Sequence, residues 1–369
     1  MVGRPALVLL SLIAGSGAAG AASARAEASP APAAETAGFA SAEATCREFP
    51  GLNRLFRFGA GFRISGPPVV GPDGAIYVGT ADGYVHRLHS DGSFHWSYTV
   101  KGPVTGRTAL TEDGRLLLVP APHVIYALRT NGSLSWSSQS KVGIQSGFTR
   151  DSDGRLRFAA EDGRVLAFSD RGELLATHVP GKARVTAGPV VLRDGLAVGR
   201  ADGTIQVTQR NNTRVFRRKK PIRALFACPG PGLCAIAGHV LMPVGASKRG
   251  AFQMPALYAA SAPGAGKGES WLAVLSTDSR LELYSKLPGE PRYRLELPDQ
   301  ASAEPTLDAE GTTYVPLQNG ALVVVTRDGR IAGCAGVADS PLGTPVVDVP
   351  RRRVLVTASA GELAAFQLP

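Results

Sequence analysis

The strongest constraint in this sequence is that it repeats itself. Residues 87–97 read RLHSDGSFHWS and residues 127–137 read ALRTNGSLSWS, with Leu88/Leu128, Gly92/Gly132 and Trp96/Trp136 in matching slots. A fold built around a single active site has no reason to return to a phrase, whereas a fold of stacked equivalent units does. The unit is legible in residues 66–100. An inner run at Pro68–Val70 is followed by AIYVGT, YVHRLHS and SFHWSYTV, all rich in strand-forming Val, Ile, Tyr and Trp. Between the runs stand Pro72-Asp73-Gly74, Ala81-Asp82-Gly83 and Asp91-Gly92. Asp-Gly marks tight hairpins because both residues tolerate positive φ. One unit is therefore expected to be a four-stranded antiparallel meander.

The second of these turns recurs along the chain. Asp82-Gly83 returns as Asp162-Gly163, Asp202-Gly203, Asn319-Gly320 and Ala360-Gly361, with Pro122-His123 filling the first gap and fainter copies at Gly238-His239 and Asp278-Ser279. Eight marks at a spacing of about 40 residues fit the blades of a propeller. The openings SGPPVV (65–70), AGPVV (187–191), AEPTL (303–307) and GTPVV (343–347) keep the same phase. The last unit, 343–369, supplies three strands only, and NRLFRFGAGF (53–62) has the character of the missing fourth. The expected fold is all-β, an eight-bladed propeller over 46–369 whose last blade is closed by the N-terminal strand. Such closure leaves no exposed sheet edge at the seam.

The first residues read differently. Arg4, an apolar run from Ala6 to Ala14 and the small-residue stretch ending Ala24-Arg25-Ala26 have the form of a signal peptide, 1–26. The run is too short to span a bilayer as a helix, and no later segment approaches the required length. Residues 27–45, rich in Ala, Pro, Glu and Ser, are expected to be a flexible linker that buries nothing. The first cysteine, Cys46, lies far past the cleavage region, so no lipoprotein site is expected. Four cysteines in an exported chain favour disulfides. CPGPGLC (228–234) suits a bridge between Cys228 and Cys234, which leaves Cys46 and Cys334. Spacing alone leaves connectivity open, but the closure puts Cys46 just before the closing strand and Cys334 on the outer strand of the neighbouring blade.

Candidate chemistry is sparse. The glycines fall in hairpin turns and no Walker-type Lys-Ser/Thr follows them. Trp96 and Trp136, on outer strands, suit packing between blades better than a stacking platform. His86 and His89 are three apart on a strand and are expected to point to opposite faces, and His95, His123, His178 and His239 show no ligand spacing. No catalytic residue and no metal site is marked. The formal charge is +10 and is concentrated locally in RVFRRKKPIR, 214–223. Arg217, Arg218, Lys219 and Lys220 read either as a charged strand edge or as a patch for an acidic partner. Export makes nucleic acid an improbable partner.

The slots Val85–Leu88–Gly92–Trp96, Tyr126–Leu128–Gly132–Trp136 and Leu166–Phe168–Gly172 resemble the PQQ-like repeat family of eight-bladed propellers. That family includes quinoprotein dehydrogenases and the propeller lipoprotein of the outer-membrane barrel assembly machinery. Three features separate this chain from the dehydrogenases: its shorter length, the lack of an adjacent Cys-Cys pair, and the lack of a recognisable calcium constellation. The expectation is therefore a periplasmic or secreted monomeric scaffold without cofactor, binding an envelope protein or an acidic polymer. The competing expectation is a quinone- or sugar-dependent enzyme using the channel.

Overall fold

A computed structural model describes residues 41–104, 108–111, 113–151, 153–178, 183–192, 195–209, 212–229, 232–245, 253–266 and 269–369. The expected signal peptide and residues 27–40 of the expected linker lie outside the described residues. The protein is an eight-bladed propeller of four-stranded antiparallel sheets. Blades one to seven occupy residues 69–99, 108–139, 144–178, 185–217, 222–255, 258–296 and 306–336, in chain order from the inner strand outward. Blade eight takes its three inner strands from 346–367 and its outer strand from Arg54–Gly59, which pairs antiparallel with Glu362–Gln367. The weak region of the repeat, 221–300, forms blades five and six at the turns Gly238-His239 and Asp278-Ser279.

The core lies between the blades. Middle strands are covered on both faces and read as unbroken apolar runs, such as Val165–Phe168 and Ala321–Val325. Outer strands alternate, as in Phe94–Thr99, because one face looks to solvent. An aromatic on the outer strand of one blade then lies over the turn glycine of the next. The Trp96 indole N–H donates to the Thr130 carbonyl (3.1 Å) and that of Trp136 to Asp170 (2.8 Å). Their rings cover Gly132 and Gly172, and Phe56 and Tyr293 cover Gly92 and Gly329 in the same way. Blade seven has Gly333 in the aromatic slot, and the Leu52 side chain fills the space.

That substitution shows what the N-terminal segment does. Residues 50–52 run beside the outer strand of blade seven. Leu52 N–H donates to the Cys334 carbonyl (3.1 Å), and Cys334 N–H to that of Pro50 (2.8 Å). A helix, α1 (Ala42–Cys46), capped by the Ser41 hydroxyl, packs on the same blade with Ala42 only 2 % exposed. Residues 41–45, expected to be the end of a flexible linker, are ordered against blade seven instead. They are held by this cap and by the Cys46–Cys334 disulfide. The second disulfide joins Cys228 to Cys234 across the hairpin of blade five.

The seam between blades eight and one carries a further link. Arg353, 3 % exposed, pairs with Asp348 (2.8 Å) and donates to the carbonyls of Gly74 (3.0 Å) and Ser90 on blade one. A buried guanidinium is tolerated because its nitrogens find both a carboxylate and carbonyls.

Two outcomes follow from this packing. Ala at Gly172 would overlap the Trp136 ring at a backbone φ of +81°, whereas Gly114, at φ +80°, has nothing closer than 3.8 Å to an added methyl. Gly114→Ala should cost about 1 kcal/mol and Gly172→Ala more than about 2 kcal/mol in denaturant titrations. Replacing Cys46 and Cys334 by Ser opens a loop of sequence separation 288, against 6 for Cys228–Cys234. The long-loop variant should lose about 2–4 kcal/mol and the short-loop variant less, a ranking that thermal melts of the two serine pairs will check.

Candidate binding surfaces

Blade geometry sorts the loops onto two faces. Connections between blades and the turns between second and third strands share one face; the remaining hairpin turns share the other. Most turn carboxylates are structural. Asp73, Asp91, Asp162, Asp202 and Asp308 each accept the backbone N–H two residues on, as Asn131 and Asn319 do. The Asp113 carboxyl is held below its ordinary range by the Arg115 hydrogen bond and charge. Burial pushes that of Asp151 up, but hydrogen bonds from Arg155 and Arg157 bring it down overall. Burial pushes the Tyr293 phenol up to about 12, and burial with the Glu282 hydrogen bond raises Tyr284. The two aspartates belong to blades two and three and the two tyrosines to blade six, so the four do not converge on a reacting position.

Two cavities open on the connection face. One, of about 290 Å³, lies where the inner openings of blades seven, eight and one meet, lined by Arg63, Ser65, Ser302, Thr344, Thr357 and Ser359 among others. Glu304 stands at the opening of blade seven, where partial loss of hydration raises its carboxyl. The other cavity, of about 580 Å³, is lined by Gln300, Gln318, Asn319, Asp339, Ser340 and Pro341, with Ser41 of the helix cap. Asn319 is held in place, donating its side-chain N–H to Thr45 (2.7 Å) and its backbone N–H to Asp299 (2.9 Å). Small-molecule sites are floored mainly by apolar and aromatic side chains. The smaller cavity sets hydroxyls beside Ile64, Pro67, Ala303 and Leu342, and the larger adds the amides of Gln300, Gln318 and Asn319 and the Asp339 carboxylate to an apolar lining, donors and acceptors that suit a polypeptide.

The histidine side chains among the described residues are structural or solvent-facing. His86 is enclosed by Phe58, Tyr84 and Phe94, its Nδ1 buried without a partner. His89 does not stand alone: it lies against His95, ring centroids 4.4 Å apart, across the hairpin of blade one, and Arg87 contacts His95. Sequence spacing missed that pair because the hairpin register sets it. The His178 side chain lies outside the described residues. Among the described residues no group of three His, Cys, Asp or Glu could hold a metal ion.

The basic run sits at the rim of blade four. Arg217 ends its outer strand, and Arg217, Lys219 and Lys220 are exposed. Arg218 turns inward, its Nε donating to the Met242 sulfur (2.9 Å), so it does not share the open surface. Sequence reading also missed Arg200, 1 % exposed, which donates to the carbonyls of Gly163 (3.0 Å) and Ala183 (2.6 Å) with its other nitrogens unpaired. Burial lowers its pKa. The signal was a charge in the slot where other repeats carry Thr80, Ala160 or Ala358.

Fold and surfaces together define an eight-bladed propeller of PQQ-like repeats with polar loop faces. The chain belongs to the family whose model is described as outer membrane protein assembly factor BamB, which matches residues 28–241, more than half of its length. No curated protein matches it. Among solved structures it is similar to Sqt1 of Saccharomyces cerevisiae, at 15 % identity over 86 % of this chain and 100 % of that one, with TM-score 0.68. It is similar as well to the computationally designed Ika8 protein, at 16 % identity over 87 % and 100 %, TM-score 0.68. BamB from Moraxella catarrhalis aligns at 14 % identity over 84 % of this chain and 85 % of that one, TM-score 0.45. Likeness at these identities concerns the fold alone. No helix among the described residues is long and apolar enough to cross a membrane.

The His86 environment has a pH signature. Burial lowers its pKa below 6.5, with Asp82 opposing. The unfolded chain therefore binds the proton first, and this contribution to stability is complete above about pH 6.5 and falls as the pH drops below it. The melting temperature should decline from about pH 7 to about pH 5.5, and His86→Phe should flatten that decline; a slope unchanged by the substitution would assign it elsewhere.

Proposed function

We propose that this protein is an exported, periplasmic binding scaffold that holds a polypeptide partner on the connection face of its ring and serves the assembly of outer-membrane proteins. The observation that carries the reading is the polar groove of Gln300, Gln318, Asn319, Asp339 and Ser340, built against a disulfide-stapled helix. Its lining side chains supply donors and acceptors that can exchange hydrogen bonds with a peptide backbone. Family membership supports the assembly role, and two disulfides are compatible with an oxidising compartment.

A photo-crosslinking residue in place of Gln318 should capture an outer-membrane assembly protein in cells, whereas the same residue at Asp153, on the opposite face, should not. Deleting the gene should lower the abundance of outer-membrane barrel proteins. Normal barrel levels in the deletion strain would reject the assembly role. Tight PQQ binding by calorimetry, with dye-linked oxidation of an alcohol or sugar, would replace the scaffold with an enzyme of the channel.

A further inference from the structure

Blade boundaries redistribute the charge of this protein. Residues 183–257, which hold blades four and five, contain twelve of the forty Lys and Arg but two of the thirty Asp and Glu. The formal excess of +10 therefore falls entirely within this stretch of the sequence, and the rest of the chain balances at twenty-eight of each sign.

The described cations of this sector are also unlike those elsewhere. In other blades arginines pair with carboxylates, as Arg87 does with Asp73 (2.9 Å), Arg150 with Asp170 (2.8 Å), Arg157 with Asp151 (2.7 Å) and Arg294 with Glu282 (3.0 Å). Arg214, Arg217, Lys219, Lys220 and Arg223 are all exposed, and none has a carboxylate partner among the described residues. Arg214 and Arg217, three apart on the outermost strand, project to opposite sides of it, so the charge wraps the rim. Lys219 and Lys220 lie in the connection to blade five. Arg223 stands beside that blade's turn, donating to the Gly238 carbonyl (3.3 Å) with His239 Nδ1 at 3.0 Å. Val215, between the two arginines, is 51 % exposed.

We propose that the outer strand of blade four and its connection to blade five form a docking surface for a lipid bilayer with anionic headgroups, which orients this sector of the ring toward the membrane. None of these five cations lines the cavities described above: Arg214 and Arg217 stand on the outermost strand of blade four, Lys219 and Lys220 on the connection that follows it, and Arg223 at the start of the first strand of blade five. A small anion would meet one or two of them. A flat sheet of phosphates meets several at once, and each adds to attraction within a Debye length of the surface. Val215 offers an apolar contact at headgroup depth. With the rest of the ring balanced, the field has one direction, so it orients the protein as well as attracting it. The proposal stands apart from the groove and from the assembly role.

The test is cosedimentation of the full protein with vesicles of phosphatidylcholine, alone or mixed with phosphatidylglycerol. Binding is expected only to the mixed vesicles, and raised salt should abolish it. The variant Arg214→Gln/Arg217→Gln/Lys219→Gln/Lys220→Gln should weaken partitioning by at least about tenfold, with its thermal melt unchanged. The charge-matched variant Lys101→Gln/Lys286→Gln/Arg327→Gln/Arg330→Gln, in other blades, should bind as the parent does. Equal losses in the two variants would reduce the effect to net charge and overturn the proposal. So would equal binding to neutral vesicles, or no vesicle binding alongside salt-sensitive capture by an acidic protein.

Discussion

Everything in this molecule depends on one antiparallel pairing, that of Arg54–Gly59 with Glu362–Gln367. A propeller has no central core; its apolar residues are buried only because each blade is pressed between two neighbours. Leaving the ring open would expose the face where Ile76, Val78 and Leu88 of blade one meet Leu355, Leu363 and Ala365 of blade eight. Closure by the N-terminal strand makes the two ends of the chain one sheet. The buried Arg353 ties that sheet to the turns of blade one, and Cys46–Cys334 ties its leading segment to blade seven. Three different interactions thus converge on the stretch where a linear chain must become a circle.

The repeat spends its recurring residues on structure. Turn Asp and Asn cap the N–H two positions on, turn Gly admits the aromatic of the preceding blade, and the inner strands fill the spaces between sheets. Individuality therefore lies where a repeat departs from the pattern. Gly333 in the aromatic slot makes room for Leu52, and with it the helix that borders the polar groove. Arg200 replaces a small residue at the end of a strand. Blade four and its connection to blade five gain cations that no carboxylate partners among the described residues. The proposed groove and rim both arise from such departures and lie on different blades of the ring.

How much of this the sequence carried can be judged from particular positions. The turn marks from Gly83 to Gly361, the blade openings and the incomplete last unit were enough to specify eight blades and the closing strand, because strand period and turn chemistry are local properties. The rim position of Arg217 was legible for the same reason, since a residue's place within its own blade follows from the hairpin count. The helix Ala42–Cys46 was not: an Ala- and Glu-rich stretch reads as a tether until a disulfide and a buried Ala42 hold it in place.

The sequence by itself determined the architecture, the order of blades and which strand closes the ring. Tertiary structure alone decided the surfaces. Ser41, Gln300, Asn319 and Asp339 border one groove although they are spread over some three hundred positions, because neighbouring connections meet only after the ring is closed. His89 and His95 touch because a hairpin register faces them, while Arg218 is withdrawn from its basic run because Met242 of the next blade receives it. Local chemistry fixes what each strand and turn will be, but which side chains share a surface is set by contacts between blades, and those have no signature in linear spacing.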